Sequence, residues 1–305
     1  MPNLNSKQRQ GFLATIAASF FLGWAPILGK MAYTNGASPY TLVAFRTAAA
    51  ALFLWVTYAI FWRSEIAISW RSLLGCIGVG AVNGFGSLLY YTGLSHLDAS
   101  LASLLNTLYP LWVVLFLFAA GQPMTRLTLA RLALSTLGIY LLSRAGSGEL
   151  NWLGVTLMIA SAATYGWHLV LGQWVLADVP ARKAALYILT TMACVVCAAR
   201  AMQTQPLEPI ANTGWHAILA LGLTTALSRL AMFIALKRLG GIETSLASLM
   251  ELLVSLVLAY IILGERLTVM QWFGGGLLGI SLVLMSRDPG IRLAEGNVPL
   301  EWKRQ

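Results

Sequence analysis

Charge is what this 305-residue chain has least of: Asp, Glu, Lys and Arg make up 10% of it, against 58% hydrophobic residues, and the mean hydropathy is +0.74. So little polar surface cannot cover a water-soluble globule of this size. Acids are scarcer than bases, 11 against 20, and there are three histidines and three cysteines. None of them forms paired acids, a metal-ligand cluster or a nucleophile with its base, so an intramembrane enzyme lacks its machinery here. The chain is expected not to be an enzyme and to hold no cofactor and no metal. Cys76, Cys194 and Cys197 lie inside apolar runs, so the CxxC of the last two lacks the βαβ setting of a redox motif and reads as packing. No Walker sequence is present, which removes ATP as the direct driver. Gly274, Gly276 and Gly279 spell GxGxxG, but no strand precedes them and they fall in an apolar span, so dinucleotide binding is rejected. A net charge of +9 does not signal nucleic acid either. The basic residues are scattered at the ends of apolar runs, with no basic stripe or aromatic platform.

What the chain does have is apolar length. Stretches of about 20 residues, the length a hydrocarbon layer of roughly 30 Å asks of a helix, occur ten times: near 11–33, 39–62, 72–94, 99–120 and 127–144, then near 152–176, 183–201, 215–236, 242–263 and 268–286. The predicted fold is therefore an all-α integral membrane protein, since lipid offers no partner for an open strand edge. The two sets of five also match each other. Gly23, Trp24, Leu28 and Gly29 recur as Gly166, Trp167, Leu171 and Gly172, and Ser100, Leu101, Ala102, Ser103 reappear letter for letter as Ser245, Leu246, Ala247, Ser248. This predicts one five-helix repeat over 1–146, a second over 147–287 and a polar cytoplasmic tail over 288–305.

With a cytoplasmic N-terminus, most of the basic residues, among them Arg63, Arg71, Arg126, Arg182, Lys183, Lys237 and Arg238, fall inside, and only Lys30, Arg144, Arg200 and Arg266 fall outside. That asymmetry places both termini in the cytoplasm. Five is odd, so the second half enters from the opposite face and the duplication is inverted. Two inverted halves around a central cavity suit a transporter that opens to one side and then the other.

Phe21, Leu22, Gly23, Trp24 and Lys30 look like a first-helix tryptophan-glycine signature, here in the order Gly-Trp. Pro39 followed by Ala44, Phe45 and Arg46 looks like a second-helix motif, Pro110 like a fourth-helix proline, and Leu263, Gly264, Glu265, Arg266, Leu267 like an LGE motif closing a ninth helix. In these residues the chain resembles the drug/metabolite transporters of the EamA type, over nearly its whole length. Ser255, the repeat partner of Pro110, departs from the pattern and removes the residue that would kink the ninth helix to match. The resemblance implies efflux of small metabolites through a central cavity lined by spans 1, 3, 4, 6, 8 and 9. Its narrower form, to the YddG-type exporters, implies amino acids including aromatic ones as cargo. The expected function is thus a secondary transporter in the inner membrane, working by alternating access on a small-molecule substrate. Other amphipathic metabolites or drugs are the alternative cargo.

Polar residues at membrane depth are expensive, about 2.5–3.5 kcal/mol for a charge on insertion scales, and so mark sites or partners. Arg229 and Glu251 lie at similar depth and are expected to pair. They either edge a hydrated substrate cavity or close a structural salt bridge. Asn106 is the repeat equivalent of Glu251, and Asn83 neighbours the equivalent of Arg229. Trp24 and Trp167 lie deeper than the interfacial belt and, with Tyr90, Tyr91, Tyr109, Tyr165 and His168, are expected to form an aromatic lining. The candidate substrate-binding set is Trp24, Asn83, Tyr90, Tyr91, Asn106, Tyr109, Trp167, His168, Arg229 and Glu251. Pro26 and Pro110 are the candidate hinges. Arg46 is assigned to structure, and Gly80 with Gly84 has the spacing that lets two helices approach closely.

Overall fold

The computed structural model describes residues 6–119, 126–144, 151–204, 206–239 and 241–285, so the expected tail over 288–305 lies outside the described residues. Within them the ordered structure is entirely helical. The first span is broken in two, α1 (Ser6–Gly23) and α2 (Ala25–Thr34), with Pro26 in the first turn of α2, where a missing N–H costs nothing. Then come α3 (Pro39–Phe61) and α4 (Trp70–His96). The fourth span is broken as well, into α5 (Ala99–Asn106) and α6 (Tyr109–Ala119), because Pro110 cannot donate to the carbonyl one turn back. The remaining helices are α7 (Arg126–Arg144), α8 (Trp152–Asp178), α9 (Ala181–Ala201), α10 (Asn212–Leu239), α11 (Gly241–Leu258) and α12 (Val269–Met285).

The helices overrun the apolar stretches by a few residues because polar caps extend them: Ser69 accepts from the Ser72 N–H and Asn151 from the Gly154 N–H. As the absence of proline at 255 predicts, α11 runs unbroken past Ser255; it ends in a π-helical turn, Ala259–Leu263. Among the described residues seven helical stretches, from Gln10–Thr34 to Asn212–Ala235, are long and apolar enough to cross a membrane, and Met250–Leu263 is a shorter apolar one. Exposed aromatic side chains such as Phe61, Trp70, Trp152 and Trp272 stand near helix ends, the level at which a membrane interface holds such rings.

Two pairs of packed helices run antiparallel. Arg200 donates to the Thr41 hydroxyl (2.9 Å) at the start of α3, Trp55 to Thr190 (3.0 Å) in the middle, and Tyr58 to the Arg182 carbonyl (2.9 Å) near its end, so α3 descends as α9 climbs. The fifth span meets the tenth in the same sense, with Ser135 bonded to Ser281 (2.9 Å) and Gly138 against Leu278 and the Gly274 carbonyl. Helix α4 lies between α9 and α8. Gly80 and Gly84 sit one turn apart against α9, where a Cβ on Gly80 would come within 2.6 Å of the Ile188 carbonyl oxygen. Backbone-to-backbone approach of this kind is how helices gain dispersion contact when lipid offers no hydrophobic drive.

At the end of the bundle holding the α2–α3 and α9–α10 connections, Gly36 takes φ +95° and packs on the Pro209 carbonyl, while Thr41 donates to Glu208 (2.9 Å). Burial would push the Glu208 carboxyl up, but hydrogen bonds from Ser38 and Thr41 and the charge of Arg200 hold it below its ordinary value. A second tie explains the Leu263-Gly264-Glu265 string. Gly264 adopts φ +70°, a left-handed cap that turns the chain off the π-helical segment. Glu265 then reaches α5, whose own N-cap residue Asp98 makes no side-chain cap. One carboxylate oxygen accepts from the Ala99 N–H (2.8 Å), and the other accepts from the Ser100 N–H (2.8 Å) and hydroxyl (2.6 Å). A carboxylate on a helix N-terminus satisfies orphan donors and the dipole together. Glu265→Ala is expected to cost about 1–2 kcal/mol, read as a lower thermal unfolding midpoint in detergent.

Candidate functional site

Helical spacing gathers the polar residues. On α4, Asn83, Ser87, Tyr90 and Tyr91 recur every three or four positions and share a face. Thr225 and Arg229 are one turn apart on α10, as are Ser161 and Tyr165 on α8. These faces meet around a cavity of about 70 Å³, lined also by Arg46 of α3, Asn106 at the end of α5, Glu251 of α11, and Phe21, Leu22 and Ala25 where the first span breaks. At roughly 10–15 Å³ per water, that is room for several ordered waters in a polar setting. A smaller space of about 10 Å³ adjoins it, sharing Leu22, Tyr90, Asn106 and Glu251 and reaching Pro26, Ser103 and Ser255.

Two guanidiniums and one carboxylate face this cavity. Arg229 is 8% exposed. Its Nη2 donates to Asn83 Oδ1 (3.2 Å), its guanidinium carbon lies 5.4 Å from the Tyr165 ring centre, and its Nε and Nη1 have no hydrogen-bond partner among the described residues. Arg46 is 4% exposed. It donates through Nη1 to Thr225 (2.9 Å) and through Nη2 to Ser87, lies 4.4 Å over the Tyr91 ring, and leaves Nε without a partner among the described residues. The expected pairing of Arg229 with Glu251 is corrected: both line the cavity, but no ion pair closes between them among the described residues. The hydrogen bond that Arg229 makes goes instead to Asn83, which also donates through Nδ2 to the Met192 sulfur (3.3 Å).

Of the ten candidate substrate-binding residues, the fold brings Asn83, Tyr90, Tyr91, Asn106, Arg229 and Glu251 to the cavity wall and leaves four away from it. Trp24, half-buried at the break between α1 and α2, packs on the main hydrophobic core. Trp167 faces sideways, into an open apolar groove of about 590 Å³ with Phe116 and Trp174. Their shared repeat position fixes a level along the helix but not the direction in which each ring points. His168 is fully buried behind the wall, stacked on Tyr165 with ring centres 5.7 Å apart, and donates from Nδ1 to the Val79 carbonyl (3.3 Å). Tyr109 supports the same ring edge-on at 4.9 Å. Tyr165 is thus the wall residue, held by two of the candidates. Pro26 and Pro110 stand at the two helix breaks.

Two groups of polar wall residues are not among the candidates read from the sequence. Arg46, assigned to structure, is on the cavity, so the lining includes span 2 beside the six expected spans. Ser87, Thr225, Ser228 and Ser161 also line it. Their signal was available, since Ser87 lies four residues beyond Asn83, Thr225 four before Arg229 and Ser161 four before Tyr165.

A family model described as the EamA-like transporter family matches twice, over residues 9–144 and 152–287. An uncharacterized transporter of Bacillus subtilis (strain 168), YcbK, is 25% identical over 273 residues, covering 85% of this chain and 86% of that one. A crystal structure superposes with a TM-score of 0.67 at 17% identity, over 93% of this chain and 99% of the other, which is a likeness of fold.

Proposed function

Since the chain belongs to the EamA-like transporter family, and is thereby a membrane transporter of small molecules, we propose that it exports small amphipathic metabolites, and specifically amino acids, aromatic ones included, as the YddG-type exporters do. The observation that carries this is the cavity itself. It lies between helices of both sequence repeats, carries unclosed positive and negative charge in Arg46, Arg229 and Glu251, and has tyrosine rings beside them. A zwitterion with a flat or apolar side chain complements such a wall: its carboxylate meets a guanidinium, its ammonium Glu251, and its side chain the rings of Tyr90, Tyr91 and Tyr165.

Transport proceeds by alternating access between the halves 1–146 and 147–287, the second inverted, with Pro26 and Pro110 as hinges where spans 1 and 4 are already broken. The protein sits in the inner membrane with both termini cytoplasmic. In support, basic residues of both halves gather at one end of the bundle. Lys183 donates to the Ala67 carbonyl (2.8 Å) and Arg182 lies 4.6 Å over the Trp62 ring, next to Arg63. The test is counterflow: proteoliposomes loaded with one unlabelled amino acid at a time should accumulate its labelled form, most strongly with aromatic members. A folded protein that exchanges no amino acid of the panel would overturn the assignment.

A further inference from the structure

We propose that Arg46 and Arg229 together clamp one anionic group of the cargo, so that a carboxylate is the obligatory handle of whatever this cavity carries and Arg46 is a specificity-determining residue. The inference rests on the transport reading of the cavity and deepens it.

The two guanidiniums reach one cavity from different repeats, Arg46 from α3 and Arg229 from α10. They are locally tied: Arg46 bonds the hydroxyl of Thr225, one helical turn before Arg229 on the same face of α10. Each is more than nine-tenths buried, and each lines the cavity. Glu251 is the single carboxylate on the described wall, and it closes an ion pair with neither. Two like charges on one wall with a single described acid leave the cavity one positive charge in excess. A buried charge without a counter-ion is among the costliest features a fold retains.

The hydrogen-bond ledger points the same way. Three guanidinium nitrogens, Nε of Arg46 and Nε and Nη1 of Arg229, are buried without an acceptor among the described residues. Buried donors in native proteins are nearly always satisfied by protein, ordered water or a bound group, and a cluster of them beside a cavity is where a ligand can supply the acceptors. A carboxylate presents two oxygens with about four lone-pair sites, enough to take all three donors while cancelling the excess charge. The neutral partners of Arg46, Ser87 and Thr225, orient it without neutralising it. A residue serving only to tie α3, α4 and α10 together would need no donor left without an acceptor.

Anion binding would also serve the transport cycle. With the clamp empty the two guanidiniums repel across the α3–α10 contact. With a carboxylate between them the repulsion becomes attraction across the two halves. Cargo lacking the anion supplies no such differential energy, and a ligand shifts an equilibrium only by its difference in affinity for the two states.

The experiment compares phenylalanine, 3-phenylpropionate (no ammonium) and phenethylamine (no carboxylate), with alanine, propionate and ethylamine as the small series. Binding is measured by thermal shift and calorimetry on the wild type, Arg46→Gln and Arg46→Lys, and exchange by counterflow. The wild type should prefer the acid-bearing compounds over the amines by on the order of 10- to 100-fold. In Arg46→Gln that preference should collapse toward unity, and in Arg46→Lys it should be partly kept. Should Arg46→Gln fail to fold, the wild-type preference and the lysine variant still decide. Amines bound and exchanged as well as acids, or an undiminished preference in Arg46→Gln, would overturn the clamp and leave the transport reading standing. No compound of either series bound or exchanged by folded wild type would overturn both.

Discussion

Glu251→Gln is expected to lower exchange of a zwitterionic amino acid by on the order of 100-fold while leaving the protein folded. Glutamine keeps the volume and a hydrogen-bonding oxygen of the side chain but removes its charge. The described cavity wall then carries Arg46 and Arg229 with no acid to offset them. The cargo's ammonium group loses its only charged acceptor and meets a doubly positive wall. Such a loss falls on binding and turnover together, since the same contact holds the cargo in both access states. The check is the initial counterflow rate of purified Glu251→Gln beside its thermal unfolding curve. A wild-type rate in a wild-type-stable protein would reduce Glu251 to a packing residue.

The second large effect lies in packing. Gly80→Val is expected to destabilise the protein by about 3 kcal/mol, the upper part of the range for overpacking, whereas Gly78→Val should change stability by no more than about 0.5 kcal/mol. The two glycines are neighbours on α4 but face differently. A Cβ at Gly80 would meet the Ile188 carbonyl oxygen and the Thr191 Cβ, both at 2.6 Å, while one at Gly78 meets nothing within 4 Å. A backbone carbonyl cannot rotate away as a flexible side chain can, so α4 and α9 must separate. Thermal unfolding in detergent distinguishes the pair. Equal behaviour of the two variants would mean that the α4–α9 contact is looser than it stands here.

Much of the architecture is written in composition and repetition. Apolar length sets the spans because lipid leaves the backbone no partner but itself, and Pro26 and Pro110 mark the two breaks because proline lacks the required donor. The spacing of Gly80 and Gly84 marks a close helix contact, which the fold makes with α9. The site was less legible. Depth along a helix follows from counting residues, and by depth Asn83, Asn106, Arg229 and Glu251 belong together. Direction around the helix does not follow from a lone large ring: Trp24 and Trp167 share a level but turn to the core and to the outer face. Depth alone does not put Arg46 on a cavity, because an arginine near a helix start can snorkel to the interface. Only the approach of α10, bringing Thr225 to its Nη1, places it on the cavity. The Leu263-Gly264-Glu265 string was recognisable as a pattern, but its role depends on α5 lying opposite, which no local feature of either segment encodes.

Two five-helix halves lying upside down relative to each other around the cavity must put the α3–α4 and α9–α10 connections on opposite faces of the membrane. The most direct test is single-cysteine labelling in a background free of Cys76, Cys194 and Cys197, with cysteine placed at Ser64 in the α3–α4 connection or at Thr204 in the α9–α10 connection. With a membrane-impermeant maleimide on intact cells, Thr204→Cys should be labelled at once and Ser64→Cys only after permeabilisation. Labelling of both positions from the same side would contradict the inverted arrangement and the transport mechanism that depends on it.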